Sequence, residues 1–326
     1  MFTFAGKLHI NNFSCIMANV IKIKKGLDIN LKGKASDVLL NGGKSESYAI
    51  VPDYYNGILP KVVAKVGEKV KAGSVLMIDK NRPEIKFVSP VSGEVTAVNR
   101  GEKRKVLSIV VKPDAQIEYE EFGKKNVASL QGAEGKEVLL NAGMWPFIKQ
   151  RPYDIVAAPL DTPRDIFVSA FYSAPLAPNF DFIVKGQEAD FQTGLNALAK
   201  LTNGKVYVGV RSGSVVSGMK GVEIVEVEGP HPAANVGVQI NHIKPVNKGE
   251  VVWTVNPADV IVIGRLFNKG VADFSRMVAI TGSETTERGY VKTISGCTIK
   301  SLVNGKVLGQ EHIRIISGNV LTGTKV

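Results

Sequence analysis

The chain has 326 residues, 41 of them basic and 30 acidic, for a formal charge of +11, with 44% hydrophobic and 22% charged side chains. At roughly 150 residues per domain the length predicts two or three domains with sizeable cores, and the composition excludes a disordered tail or a fibre. Two cysteines far apart, Cys15 and Cys297, exclude a disulfide framework, a multi-cysteine zinc site and a cysteine-ligated iron–sulfur cluster within the chain, and fit a reducing cytoplasmic setting.

In chain order, Met1 to Ile16 lacks the long apolar core of a signal peptide and precedes Met17, so residues 1–16 read as a non-native or upstream extension and Met17 as the start. Charge then concentrates. Residues 17–112 hold 18 Lys and Arg against 9 Asp and Glu, whereas residues 113–326 hold 22 against 21. The excess falls in two clusters, Lys22, Lys24, Lys25, Lys32 and Lys34, then Arg100, Lys103, Arg104 and Lys105. The ordinary use of such runs is a solvated strand face, and the functional one is docking to an acidic partner or an anionic lipid surface. Few aromatic residues interleave with them, which argues against nucleic acid.

From Tyr48 to Pro113 short Val/Ile-rich runs alternate with Gly-containing turns and no helical period is sustained, which predicts a small all-β module. It holds a loose repeat: Gly67-Glu68-Lys69 and Leu76-Met77-Ile78 in one half answer Gly101-Glu102-Lys103 and Leu107-Ser108-Ile109 in the other. The run from Val63 to Gly73, with Ser89-Pro90-Val91-Ser92-Gly93, resembles the biotinyl/lipoyl-type barrel-sandwich. A carrier domain of that type presents a lysine at the hairpin tip, eight residues before the proline. Here that position is Arg82, which cannot form the amide, and Lys80 is two residues off register, so a structural use of the fold is expected over a covalent carrier.

Between about Val127 and Gly270 the pattern changes to β-type runs separated by helical signals, the mark of an α/β domain. Strands are predicted at Ile155 to Ala158, Ile166 to Phe171, Phe182 to Lys185, Val206 to Val210 and Ile224 to Val227. One helix is predicted from an Asp190 cap through Phe191, Leu195 and Leu198 to Gly204, and another after Gly229-Pro230-His231-Pro232 with Val236, Ile240 and Ile243 on one face. A third starts with Asn256 as cap and Pro257 in the first turn and closes at Lys269-Gly270. The longest charge-free apolar stretch, Ile166 to Phe180, is 15 residues with two prolines, short of the roughly 20 a spanning helix needs, so any membrane link is expected to be peripheral. From Arg276 onward, strands at Met277 to Ile280 and Tyr290 to Ile294 precede a helix capped by Ser295, running through Ile299, Leu302 and Val303 to Gly305, and a strand from His312 to Ile316. One helix on a small sheet resembles the β-grasp used for soluble-ligand binding.

No self-contained catalytic constellation is present. Gly209 to Gly218 has the wrong spacing for a dinucleotide loop, and Gly43-Lys44-Ser45 lacks the first glycine of a phosphate loop. His9, His231, His242 and His312 are too scattered for a metal motif, and no Gly-x-Ser-x-Gly elbow occurs. No catalytic, cofactor-binding or metal-ligating residue is therefore predicted. One stretch, Gly143 to Tyr153, collects Met144, Trp145, Phe147, Lys149 and Arg151 between Pro146 and Pro152, which prevent a regular helix. Such aromatic walls with few polar anchors suit an apolar ring-shaped ligand with polar carbonyls. The simpler use is a plug between the β module and the α/β domain.

The whole order resembles the A subunit of the bacterial sodium-translocating NADH:quinone oxidoreductase. The resemblance is carried by Ile23-Lys24-Lys25-Gly26-Leu27-Asp28-Ile29, Leu139-Leu140-Asn141-Ala142-Gly143-Met144-Trp145 with Arg151-Pro152, Gly229 to Ala233, and Ile316-Ser317-Gly318-Asn319-Val320-Leu321-Thr322-Gly323. It implies an α/β multi-domain fold: a barrel-sandwich hybrid (17–113, with N-terminal strands), a Rossmann-like α/β domain (114–270) and a β-grasp module (271–326), with the family's C-terminal region absent. It further implies a peripheral subunit on the cytoplasmic face of the inner membrane, contacting the membrane through five other subunits. Sodium export would be coupled to electron flow from NADH to quinone, with flavins and iron–sulfur in partner subunits and no covalent cofactor in this chain. The A subunit of that family is associated with quinone binding, which makes Trp145, Phe147, Lys149, Arg151 and Met144 the candidate quinone contacts, and the isolated chain is expected to be inactive. The alternatives are the C subunit of an Rnf-type complex, whose C-terminal cysteine-rich motifs do not occur here, and a lipoyl/biotinyl-like carrier module.

Overall fold

The computed structural model describes residues 20–309 and 313–326. The extension at residues 1–16, the start at Met17, and Cys15, His9 and His312 lie outside the described residues. The first strand, β1 (Val20–Lys22), falls by sequence order with the barrel, yet it pairs in parallel with residues 226–228 at the edge of the α/β sheet. Residues 24–32 then run exposed across the surface, with Leu27, Ile29 and Leu31 among the basic side chains of the first cluster. Further on, Leu39 bridges to Tyr290 and Tyr48 to Cys297, so the leading segment crosses both other modules before it enters the barrel.

The barrel-sandwich follows: β2 (Tyr48–Ile50), β3 (Pro60–Val62), β4 (Lys69–Val70), β5 (Val75–Asp79), β6 (Lys86–Val88), β7 (Gly93–Arg100) and β8 (Val106–Pro113). They form two antiparallel sheets of order β2-β8-β7-β4 and β3-β5-β6. Alternation sends Leu76, Phe87, Val95, Ile109 and Val111 into the space between them. The second basic cluster sits at the exposed β7–β8 turn, where Lys105 pairs with Asp53 at 2.6 Å. The β5–β6 hairpin tip is tied down. Arg82 donates from Nε to Asp79 at 2.8 Å and from its two terminal nitrogens to the carbonyls of Val156, 3.2 Å away in the α/β domain, and of Gly57 at 2.9 Å.

The α/β domain comprises α1 (Gly132–Asn141), β9 (Ile148–Arg151), β10 (Ile155–Val156), β11 (Ile166–Ser169), α2 (Phe180–Val184), α3 (Glu188–Ala199), β12 (Val206–Val210), β13 (Glu223–Glu228), α4 (Val236–Ile243), β14 (Val252–Val255) and α5 (Pro257–Lys269). Its sheet has the order β1-β13-β12-β11-β14-β9-β10, parallel as far as β14 and antiparallel over the last two strands. The central strand is covered on both sides, as its continuous run Ile166-Phe167-Val168 requires. Ile166 and Val168 join the core with α3 and α5, and Phe167 packs with Ile240 of α4 on the other face. Helices α3 and α5 cross closely through Gly194 and Gly264, where an added Cβ would meet the carbonyls of Val260 and Asp190. Gly270, at φ +77°, closes α5 with its N–H on the Leu266 carbonyl.

Four predicted elements differ. Phe182 to Lys185 is not a strand: buried Phe180, Ile183 and Val184 stand at helical spacing and the Asn179 side chain caps the turn at Asp181. Helix α3 begins at Glu188, so Asp190 lies in its first turn, and it ends at Ala199; Gly204 is instead where the chain presses on the Arg164 carbonyl. The last module contains β15 (Ser275–Ile280), β16 (Gly289–Ile294), α6 (Ile299–Val303), β17 (Ile316–Ser317) and β18 (Thr324–Lys325). Thr298, not Ser295, stands at the N-cap of α6, and the predicted strand from His312 is confined to Ile316 and Ser317 among the described residues. Buried Arg265 anchors this module on α5 by donating to the Asp273 carbonyl at 3.0 Å, the Ser275 carbonyl at 2.9 Å and Gln187 at 2.6 Å.

Candidate functional site

A cavity of about 970 Å³ lies where the three modules meet, lined by side chains such as Tyr55 and Phe87 of the barrel, Phe147, Tyr172 and Asp259 of the α/β domain and Arg276 of the last module. Its position follows from local structure. Phe147 closes a 3-10 turn (residues 145–147) and strand β9 then runs extended, so Lys149 and Arg151, two residues apart, face one side and line the cavity with Phe147, while Ile148 is buried on the other. Strand β15 brings Arg276 to the first turn of α5, where its guanidinium donates to Asp259 at 2.9 Å.

Several aromatic rings stand in its walls. Phe147 meets Phe274 edge to face at 6.1 Å, and Tyr55 meets Phe87 at 4.8 Å. Arg276 stands 6.0 Å above the Phe147 ring centroid, and the Tyr172 hydroxyl donates to Asn256 at 3.3 Å. Burial first, then the Asp259 carboxylate, push the Tyr55 phenol up to about 12 against the opposing pull of Arg276, and the same causes raise Tyr172. Both phenols are therefore neutral donors at pH 7. Lys149, Arg151 and Arg276 face only Asp154 and Asp259, and Asp154 is shared by Lys149 at 3.8 Å and Arg151 at 3.6 Å. The cavity thus carries a surplus of positive charge against apolar rings.

The five sequence-derived candidates divide. Phe147, Lys149 and Arg151 line the cavity; Met144 and Trp145 have no exposed surface and do not. Trp145 donates from Nε1 to the Ala157 carbonyl at 2.8 Å and packs edge to face on Trp253 at 5.4 Å. Next to them, a Cβ on Gly143 would strike Val88 of the barrel. Sequence reasoning does not reach Tyr55, Tyr172, Asp259, Phe274 and Arg276, because no local pattern joins positions so far apart in the chain. The placement of Lys149 and Arg151 two residues apart is the one signal that could have marked β9. His231 accompanies the turn before α4, its Nδ1 3.0 Å from the Ser173 hydroxyl. Among the described residues no cluster of His, Cys, Asp or Glu could hold a metal ion, and no helix is long and apolar enough to cross a membrane.

Comparison with known proteins gives three family models in chain order: the NqrA N-terminal barrel-sandwich hybrid domain over residues 21–114, the NqrA second alpha/beta domain over 130–272 and the NQRA C-terminal domain over 277–326. Among curated relatives, the A subunit of the Na(+)-translocating NADH-quinone reductase of Photorhabdus laumondii is 36% identical over 94% of this chain and 69% of its own length. The proteins of the same description from Hahella chejuensis and Neisseria meningitidis serogroup A are 38% and 35% identical, each over 93% of this chain and 69% of theirs. A crystal structure of a NAD+-reducing [NiFe]-hydrogenase overlaps 49% of this chain and 35% of its own at a TM-score of 0.34 and 12% identity, too weak a likeness to bear on the fold. With those relatives and the three domains in order, the chain belongs to the NqrA family, the A subunits of the Na(+)-translocating NADH-quinone reductases.

Proposed function

We propose that the chain is a peripheral subunit of a sodium-pumping NADH–quinone reductase and that the cavity between its modules holds the quinone ring. The observation that carries this reading is the combination of aromatic rings with a cationic surplus in one space of about 970 Å³, at the upper end of the range of small-molecule sites. A quinone presents an apolar ring and two acceptor oxygens. Phe147 and Phe274 suit the ring; Lys149, Arg151 and the neutral phenol of Tyr55 supply donors. Met144 and Trp145 hold β9 from behind and make no ligand contact.

In this reading flavins and iron–sulfur belong to partner subunits, and electrons reach the quinone from them. The three functional units are residues 17–113, 114–270 and 271–326, and the protein sits at the cytoplasmic face, contacting the membrane through the other five subunits. The exposed lysines between Lys22 and Lys34 give it a cationic docking face. The test is titration of the purified chain with a short-chain benzoquinone followed by the fluorescence of Trp145 and Trp253. Saturable quenching, competed by a non-absorbing quinone analogue, is expected; no saturable change would refute the site.

A further inference from the structure

Among the described residues, four buried side-chain nitrogen or oxygen atoms have no hydrogen-bond partner, and two of them, Arg151 Nε and Arg276 Nε, belong to residues lining this one cavity. Buried polar hydrogens are rarely left unpaired, and a guanidinium has five donors and no acceptor, so only an acceptor can satisfy it. The surrounding carboxylates do not. The nearest to Arg151 Nε is Asp154 at 3.6 Å, beyond hydrogen-bond reach and shared with Lys149, and Asp259 is met by a terminal nitrogen of Arg276.

The two side chains arrive from different modules. Arg276 stands over the Phe147 ring, and Arg151 ends β9, which starts directly after Phe147 and carries the chain ~10 Å further at 3.3 Å per residue. Two long side chains entering from the ends of that span can close on a single ring lying between them. We infer that Arg151 and Arg276 are the polar anchors of the ligand, each donating to one of its two carbonyl oxygens. The inference rests on the quinone reading above. It adds that recognition is charge-assisted, which makes each bond stronger than one from a neutral donor. It also makes the ligand a bridge between β9 of the α/β domain and β15 of the last module.

The experiment is a thermodynamic cycle on the full chain with two probes: a short-chain benzoquinone and the same alkylated ring with both carbonyl oxygens replaced by hydrogen. Affinities are measured for wild type, Arg151→Gln, Arg276→Gln, and Arg276→Lys, which keeps a cation beside Asp259. Each Gln variant should lose tenfold or more in affinity for the quinone while binding the oxygen-free ring as wild type does, and Arg276→Lys should recover part of the loss. Equal losses for both probes would mean that the arginines only shape the cavity, and unchanged quinone affinity would mean that they do not touch it. Either result overturns the anchors and leaves the quinone site standing. Failure of wild type to bind the quinone would overturn the site reading itself, and the anchors with it.

Discussion

Replacing Asp273 by Asn removes the carboxylate that fixes the last module on α5. Burial pushes that carboxyl up. The hydrogen bonds from Ser275 and from the Lys269 ammonium at 2.9 Å, with the charge of Arg265, outweigh it and hold Asp273 at about 2 against an ordinary 3.8. At 1.36 kcal/mol per unit the depression is worth about 2 kcal/mol, and the side chain is only 13% exposed, so little is lost to solvent screening. Because the folded value lies below the unfolded one, the contribution is fully present above about pH 4 and is lost as pH falls through 2, with about half remaining at pH 3. Urea unfolding followed by tryptophan fluorescence should therefore show Asp273→Asn less stable than wild type by about 2 kcal/mol at pH 7 and by about half of that at pH 3. An equal loss at both pH values, or none at pH 7, would refute the charge-based account of this junction.

Two further outcomes follow from the same kind of reasoning. Arg82→Ala leaves the 1%-exposed Asp79 carboxylate without its cation and frees the hairpin tip from Gly57 and Val156, which should cost about 3 kcal/mol in chemical unfolding; an unchanged midpoint would mean that the tip is not tied down. Tyr55, with a folded value raised to about 12 from 10, contributes stability that is full below pH 10 and lost as pH rises through 12. Ultraviolet titration should show fewer phenols ionising near pH 10 in the native than in the unfolded chain, a deficit to which Tyr48, Tyr119, Tyr172 and Tyr290, all raised by burial, also contribute, and Tyr55→Phe should shrink that deficit by one.

What the sequence makes legible follows the physics of each signal. Helix α5 is plain because Asn256, Pro257, Asp259 and Gly270 are local devices whose effect needs no tertiary partner. Strand β12 matches its prediction residue for residue, since Val206, Val208 and Val210 alternate as β-branched, buried positions. Phe182 to Lys185 misleads because a short apolar run fits strand or helix, and the deciding contact is the Asn179 cap. The Met144 to Arg151 segment has the right composition, yet only the turn and strand geometry separates Phe147, Lys149 and Arg151, on the cavity side, from buried Met144 and Trp145. Arg276 and Asp259 cannot be joined to the site by any local pattern, because their pairing depends on β15 docking at the start of α5. The same holds for β1, whose place in the α/β sheet is set by β13, a partner strand distant in the chain.

The most direct test of the central claim is photolabelling of the purified chain with a benzoquinone bearing a photoreactive group on its ring, followed by peptide mapping. The cavity reading predicts label on the peptides carrying Phe147 to Arg151, Tyr172 and Arg276, suppressed by excess unmodified quinone and weakened in Arg151→Gln. Label confined to residues outside the inter-module cavity, and equally suppressed by competitor, would contradict it.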